Sequence, residues 1–300
     1  MPSAVRLDIE RWVPVPTWFG VGGKAQRLVR PTCVEELQQC LRIDPEFKVL
    51  GEGANLLVAD GGERSLVVSL DQLNAVKISP GGTVRAQAGA DLMRLVQDTA
   101  RSGLEGLHTL AGVPASIGGA IAMNAGGKHG STFDFLHEVT TMDREGNVRT
   151  EPAYAFGAGY RDGGLGDRVV VEAVFSLTPG DAGQVREKVK AIMVEKKHSQ
   201  PLAADSAGCV FKNPVLAYNV RGVGEPGDRA SAGLLIERAG CKGLSVRGAS
   251  VSDRHANFII VDKRKARAAD ILELIELVRQ RVLGMFGVEL ATEVVVWGQR

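Results

Sequence analysis

Apolar positions along the chain change period several times, and each change predicts an element. Val34, Leu37, Cys40 and Leu41 recur at helical spacing, and Thr32 with Glu35 has the spacing of a capping box, so a helix opens there with Cys40 in its core face. Short apolar runs at Lys48 to Leu50, Leu66 to Leu70 and Thr83 to Ala88 predict strands, and a helix from about Asp91 is stopped by Gly103. HEVTTMDREGNVRT predicts a hairpin turning near Glu145 to Asn147, and VVVEAVFSL a buried strand. Asp181 and Gln184 open a long helix with a basic end at Lys196, Lys197 and His198, where Pro201 forbids continuation. The last third predicts a short helix in SAGLLIERAG closed by Gly240, a strand in NFIIVD, a long amphipathic helix from Ala268 to Phe286 and a final strand in ATEVVV. Helices and strands do not alternate regularly, so the class is α+β rather than a doubly wound parallel sheet. There is no internal repeat.

One stretch fits neither period. LAGVPASIGGAIAMNAGG, residues 110 to 127, is nearly uncharged and dense in glycine and alanine. A buried helix avoids so many glycines, each costing ~1 kcal/mol against alanine, and a flexible linker would not carry Leu110, Val113, Ile117, Ile121 and Met123. The composition points to an ordered backbone kept bare so that a ligand or another chain segment approaches closely. LGEGANLLVADGG, residues 50 to 62, places two glycines and an asparagine after a strand, where successive N–H groups form an anion nest. Alone it reads equally as a strand-to-loop turn, and its spacing fits neither GxGxxG nor the P-loop.

Composition narrows the partners. The 300 residues are 44% hydrophobic and 24% charged with a formal net charge of +1, which gives no reason to expect nucleic acid or an anionic membrane. MPSAVRLDIERW mixes charges into its first residues and lacks the apolar core of a signal peptide, and no segment has the ~20 apolar residues of a membrane span. A cytoplasmic protein is expected. Cys33, Cys40, Cys209 and Cys241 form no CxxC pair, so reduced thiols are expected rather than disulfides or a metal site.

GEGANLLVADGG, GLHTLAGVPASIGGAIAMNAGG, YRDG, AGCVFKNP, AGLLIERAGCKG, SDRHANFIIVD and ATEVVVWG occur in the order and at about the spacing seen in UDP-N-acetylenolpyruvoylglucosamine reductases. The chain resembles that family from TWFGVGGKAQRLVRP to its final strand, and resembles its shorter type, because no tyrosine-bearing insertion interrupts the C-terminal third. The resemblance implies a FAD-binding fold of the vanillyl-alcohol-oxidase-like type: one subdomain over residues 1–75, which the strand at 290–300 joins, a second over 76–198, and a substrate domain over 199–289. It implies non-covalent FAD, NADPH as reductant, a small sugar-nucleotide substrate, and a step in peptidoglycan precursor synthesis. It leaves the oligomeric state open.

By the same resemblance Gly51, Gly53, Ala54, Asn55, Leu56, Ser116, Ile117, Gly118, Gly119 and Asn124 are cofactor residues. Reduction of the enol ether develops charge on the neighbouring carboxylate and needs both a cation there and a proton donor. Arg161 matches the family's carboxylate clamp, Glu293 its acidic partner, and Cys209 stands where most members carry the serine proton donor. Tyr160, Lys212 and Asn213 are substrate contacts on the same grounds. Read from the residues alone, a surface ion-pair arginine is the favoured reading of Arg161 and an edge-strand charge that of Glu293, while a small buried hydrophobe, the usual fate of a free cysteine, is the alternative for Cys209. Lys196 and Lys197 stand where relatives often have arginines, and a charge at a helix C-terminus explains them equally well. His129 has no assigned role, and His255 fits a structural hydrogen bond or a substrate contact. Two other readings compete: an oxidase of the same fold, which has no need of AGCVFKNP or Glu293, and a non-catalytic flavin-binding protein.

Overall fold

The period-2 pattern of Thr83–Gln87 and the continuous apolar run of Val169–Ser176 place the two strands side by side, Ala86 opposite Ala173. They are the centre of a five-stranded antiparallel sheet ordered Val148–Pro152, Leu136–Met142, Val169–Ser176, Thr83–Gln87, Val76–Ile78. Its hairpin turns where expected: the Asp143 carboxylate accepts the N–H groups of Glu145 at 3.1 Å and Asn147 at 2.8 Å. The computed structural model describes residues 7–298, so residues 1–6 and 299–300, which belong to the expected 1–75 and 290–300 segments, lie outside the described residues.

The chain divides into two compact units. The first holds residues up to 13, 25–52 and 64–196; the second holds 14–24, 53–63 and the chain from 197 on. The sequence reading draws three regions, broken at 75/76 and 198/199, with the strand at 290–300 joining the first. In the structure two short N-terminal pieces, 14–24 and 53–63, cluster with the C-terminal third.

In the first unit a four-stranded sheet, ordered Glu10–Pro14, Lys24–Val29, Glu63–Ser69, Lys48–Leu50, accompanies the five-stranded one. Helix α1 (Val34–Ile43) buries Leu37, Cys40 and Leu41. Its start differs from the expected capping box: Cys33 is the N-cap, and Glu36 rather than Glu35 reaches back to the N–H and hydroxyl of Thr32. Helix α2 (Leu92–Arg101) is capped by Asp91, which accepts from Arg94 N–H at 2.7 Å, and buries Leu92, Leu95 and Val96. Gly103 after it has φ +69, the left-handed conformation that ends helices. α3 (Ile117–Ala122) is one short turn inside the glycine-rich stretch, and α4 (Ala182–Ser199) opens with the Asp181 carboxylate accepting Gln184 N–H. These elements share a core that includes Leu66, Val84, Leu95, Ile121, Val139 and Phe175, each fully buried side chain stabilising by about 1.5–3 kcal/mol.

The second unit is built on α5 (Ala232–Arg238) and α6 (Ala268–Phe286), with Ile271, Leu274, Ile275, Val278 and Val282 buried. A three-stranded antiparallel sheet, Ser245–Val246, Ala249–Val251, Ile259–Val261, shares that core. The final strand Val295–Trp297 pairs in parallel with Leu56–Val58, a strand the sequence reading leaves inside a loop. Directly after that strand, both Asp60 carboxylate oxygens accept at 3.0 Å from the first-turn N–H groups of Ala268 and Ala269, capping α6. Among the described residues no helix is long and apolar enough to cross a membrane, and no group of His, Cys, Asp or Glu side chains is gathered as metal ligands are.

Candidate functional site

In the first unit the two glycine-rich stretches close on each other. A Cβ on Gly51 would lie 2.5 Å from Ser116 Oγ, and one on Gly118 only 3.0 Å from Ala88 Cβ. Gly51, Ser116, Gly118 and Gly119 line one cavity of about 130 Å³, walled also by Leu50, Val169 and Arg168. Ser116 is the N-cap of α3 and accepts Gly119 N–H at 3.2 Å. Ile117 is fully buried, outside that lining. Two amides of the second stretch are engaged by the protein: Ile117 N–H donates to Ala90 O at 2.9 Å and Gly118 N–H to Ala88 O at 2.7 Å. What α3 offers the cavity is the bare backbone of Gly118 and Gly119, with Ala122 beside them.

Asn124 closes this turn with φ +38. Its side-chain amide donates to Gly159 O at 2.9 Å and accepts Phe133 N–H at 3.2 Å, so it ties the glycine stretch to the GYRDG segment. There Gly159 and Asp162 exchange two backbone hydrogen bonds, and Gly163 N–H donates to Ala122 O at 3.0 Å. A Cβ on Gly163 would lie 2.1 Å from Ile121 O, which is why glycine stands there. Arg161 sits at the tip of this turn with φ +57, a conformation non-glycine residues adopt at a cost of roughly 1–3 kcal/mol and keep mainly at functional sites. Its guanidinium lies 5.1 Å from the centre of the half-exposed Tyr160 ring.

In the second unit Gly53 has φ +64, and a Cβ there would lie 2.0 Å from Pro16 O. Ala54 follows half-buried. Asn55 donates its side-chain amide to Glu293 O at 3.0 Å and accepts Val295 N–H at its backbone carbonyl, also at 3.0 Å; Leu56 pairs with Val295. Glu293 N–H donates at 2.7 Å to the carbonyl of Val210, the neighbour of Cys209, so the positions expected to carry the proton donor and the acidic partner lie on adjoining segments. Cys209 is half-buried and bridged to Phe258. Asn257 fastens this segment: its side chain accepts Phe211 N–H at 2.9 Å and donates to Phe211 O at 2.8 Å. Lys212 N–H donates to Ala291 O, and the Asn213 side chain accepts Ala232 N–H at 2.9 Å, starting α5. His255 Nδ1 accepts Asn257 N–H at 3.3 Å, and burial pushes the ring's pKa down, favouring the neutral form that hydrogen bond requires.

Known proteins agree with this geometry. A model of the C-terminal domain of UDP-N-acetylenolpyruvoylglucosamine reductase matches residues 200–297, and a FAD binding domain model matches residues 25–151. The reductase of that name from Alkalilimnicola ehrlichii is 40% identical over 299 residues, covering 97% of this chain and 95% of its own. That from Moorella thermoacetica is 39% identical over 94% of this chain and 90% of its own. The crystal structure of the Thermus caldophilus reductase matches with a TM-score of 0.81 at 34% identity, over 98% of this chain and all of that one. The chain belongs to the UDP-N-acetylenolpyruvoylglucosamine reductase family.

Within that family its length of 300 residues agrees with the short type, and its fold is the FAD-binding fold of vanillyl-alcohol-oxidase-like flavoproteins followed by the reductases' C-terminal domain. The first unit's residues fit the dinucleotide: the cavity walls are bare at Gly51, Gly118 and Gly119, where a side chain would fill the space. Sequence reading missed Arg168, which brings a guanidinium to that cavity, held by Glu151 at 2.5 Å and stacked 4.6 Å over the Phe156 ring. A lone arginine before a strand carries no motif. Asn257 was equally silent, although an asparagine between a histidine and an apolar strand run is a buried-polar signal.

Proposed function

We propose that this chain is an NADPH-using, FAD-dependent reductase that converts UDP-N-acetylglucosamine enolpyruvate to UDP-N-acetylmuramate, a cytoplasmic step in peptidoglycan precursor synthesis. The observation that carries the reading is Arg161, held in a left-handed conformation on a turn tied by Asn124 to the glycine-rich stretch. Bound FAD supplies the hydride for the methylene carbon of the enolpyruvyl group. Gly51, Ser116, Gly118 and Gly119 would hold part of that cofactor in the cavity, where Arg168 would supply a positive charge. Gly53, Ala54, Asn55 and Leu56 are cofactor residues in this reading too, and Asn55 also fixes the strand that carries Glu293.

Arg161 binds the substrate carboxylate through the bidentate geometry guanidinium favours, and stabilises the second negative charge that develops as the aci-carboxylate forms. Glu293 serves the same carboxylate as its acidic partner. Cys209 Sγ gives its proton to the carbon beside the carboxylate and is reprotonated from solvent. Lys212 binds the nucleotide diphosphate, Asn213 and Tyr160 the sugar nucleotide. The test is NADPH oxidation under anaerobic conditions. Oxidation that requires the enolpyruvyl sugar nucleotide is expected; oxidation driven by oxygen alone identifies an oxidase of the same fold, and none at all leaves a flavin-binding protein.

A further inference from the structure

In the second unit a histidine closes the loop over residues 252–257. His255 Nδ1 accepts Asn257 N–H at 3.3 Å, the contact two residues on that asparagine and aspartate make in Asx-turns. The His255 carbonyl accepts Phe258 N–H at 2.9 Å. Its ring packs edge-on against the Phe258 ring, 4.8 Å between centres, and lies over Gly233, where a Cβ would come within 3.3 Å of Cε1. Both residues that His255 holds are partners of the segment that carries Cys209. Asn257 O accepts Val210 N–H at 2.8 Å, the Asn257 side chain accepts Phe211 N–H and donates to Phe211 O, and Phe258 lies opposite Cys209. Val210 passes the connection on, because its own carbonyl accepts Glu293 N–H.

A line of hydrogen bonds thus runs from His255 through Asn257 and Val210 to Glu293, and only its first link includes a group that titrates. A ring nitrogen accepts only while it is unprotonated, so an imidazolium sets donor against donor at the amide of the buried Asn257. The charged groups around the ring are Glu237 from α5 and Lys242 from the loop after it, paired with each other at 2.8 Å; on its own loop stand the exposed Asp253 and Arg254, the latter donating to Lys197 O and Gln200 O. Burial is the main cause lowering the pKa of the ring; a contact with its own backbone and Glu237 oppose the shift, and Lys242 adds to it. We propose that His255 is a positioning residue for the protonation step, acting through Asn257 to set the Cys209 segment against the one that carries Glu293; this rests on the reading of Cys209 as proton donor given above. The neutral ring holds the arrangement, and protonation releases it.

The experiment compares His255→Phe, His255→Asn and Cys209→Ala with the parent holoenzyme. It measures flavin content, the melting midpoint, the rate of flavin reduction by NADPH, and the rate at which the enolpyruvyl sugar nucleotide reoxidises the reduced flavin under anaerobic conditions, from about pH 8 down to about pH 5. His255→Phe keeps an aromatic ring beside Phe258 and removes the acceptor. It is expected to keep its flavin and its NADPH half-reaction while reoxidation by substrate slows about 10- to 100-fold across that range, the cost of a small misplacement of a reacting group. His255→Asn supplies an acceptor at the same spacing that does not titrate. It is expected to reoxidise at close to the parent rate near neutrality and to lack the fall that the parent shows as pH drops below the usual imidazole range. A histidine that serves stability alone would lower the melting midpoint in His255→Phe and leave the parent's acid limb in place in His255→Asn. Reoxidation at the parent rate in His255→Phe overturns the proposal, and so does an acid limb shared by the parent and His255→Asn, which decides the matter even where His255→Phe does not fold. Reoxidation at the parent rate in Cys209→Ala overturns the proton-donor reading itself, so the two failures are told apart.

Discussion

Cys209 is joined through Val210 O to Glu293 N–H and lies opposite Phe258, and the proton donor proposed here is its thiol. A thiol ionises far more readily than serine, with an ordinary pKa near 8.5, and donates well as long as it stays protonated. Cys209→Ser is expected to keep substantial turnover. Cys209→Ala is expected to lose about 10²- to 10⁴-fold in sugar-nucleotide reduction while NADPH still bleaches the flavin at nearly the parent rate, as anaerobic stopped-flow would record. Reoxidation by substrate as fast as the parent's would return Cys209 to the small core side chains. Cys40 shows the other fate of a thiol: burial, then Glu36, push its pKa up to about 11. That fate was legible from the helical spacing of Val34, Leu37 and Cys40, whereas the role of Cys209 came only with the family motif around it. The engagement of Asn124 and Asn213 with the protein was not legible at all, because their partners, Gly159, Phe133 and Ala232, become neighbours only through folding.

Elements with their own local signals were read well: α6 has the bounds its apolar spacing predicts, and Asp91 and Ser231 cap the helices they precede. The three-residue strand Leu56–Val58 was not, since its fully apolar run has no period and its partner lies at the far end of the chain. Two glycines of the first loop separate by role in a way substitution makes visible. Gly53 needs its positive φ and sits 2.0 Å from Pro16 O when given a Cβ, so Gly53→Ala is expected to cost more than about 1–2 kcal/mol, seen as a lowered denaturation midpoint. Gly51 meets only the Ser116 side chain. Gly51→Ala is therefore expected to fold and melt normally but to bind FAD about 10- to 100-fold more weakly, the effect of overfilling a packed cavity by roughly 1–3 kcal/mol, as fluorescence titration of the apoprotein would show.

At the scale of the molecule, the second unit is fastened by residues far from its main segment. Asp270, fully buried in the first turn of α6, accepts Arg267 N–H at 2.8 Å and pairs with Arg247, and these hold its carboxyl below the usual range. A carboxyl with a depressed folded-state pKa stabilises fully above its unfolded pKa of about 3.9, and that contribution is lost as pH falls through the folded value. Thermal melts between pH 6 and 3 should therefore show Asp270→Asn losing less stability on acidification than the parent does. A fragment from residue 197 onward lacks Leu56–Val58 and Asp60, so Val295–Trp297 loses its parallel partner and the Ala268 and Ala269 N–H groups lose their carboxylate acceptor. It is expected to give no cooperative melt, and a sharp transition in its circular dichroism would refute that dependence. The same pairing sets a clock on synthesis. Leu56 leaves the ribosome about 240 residues before its partner Val295, a wait on the order of ten seconds or more at bacterial elongation rates, during which its apolar edge has no native mate. A nascent chain of this kind is a natural client for holding chaperones, and slowing translation of its last third should raise aggregation more than slowing the first.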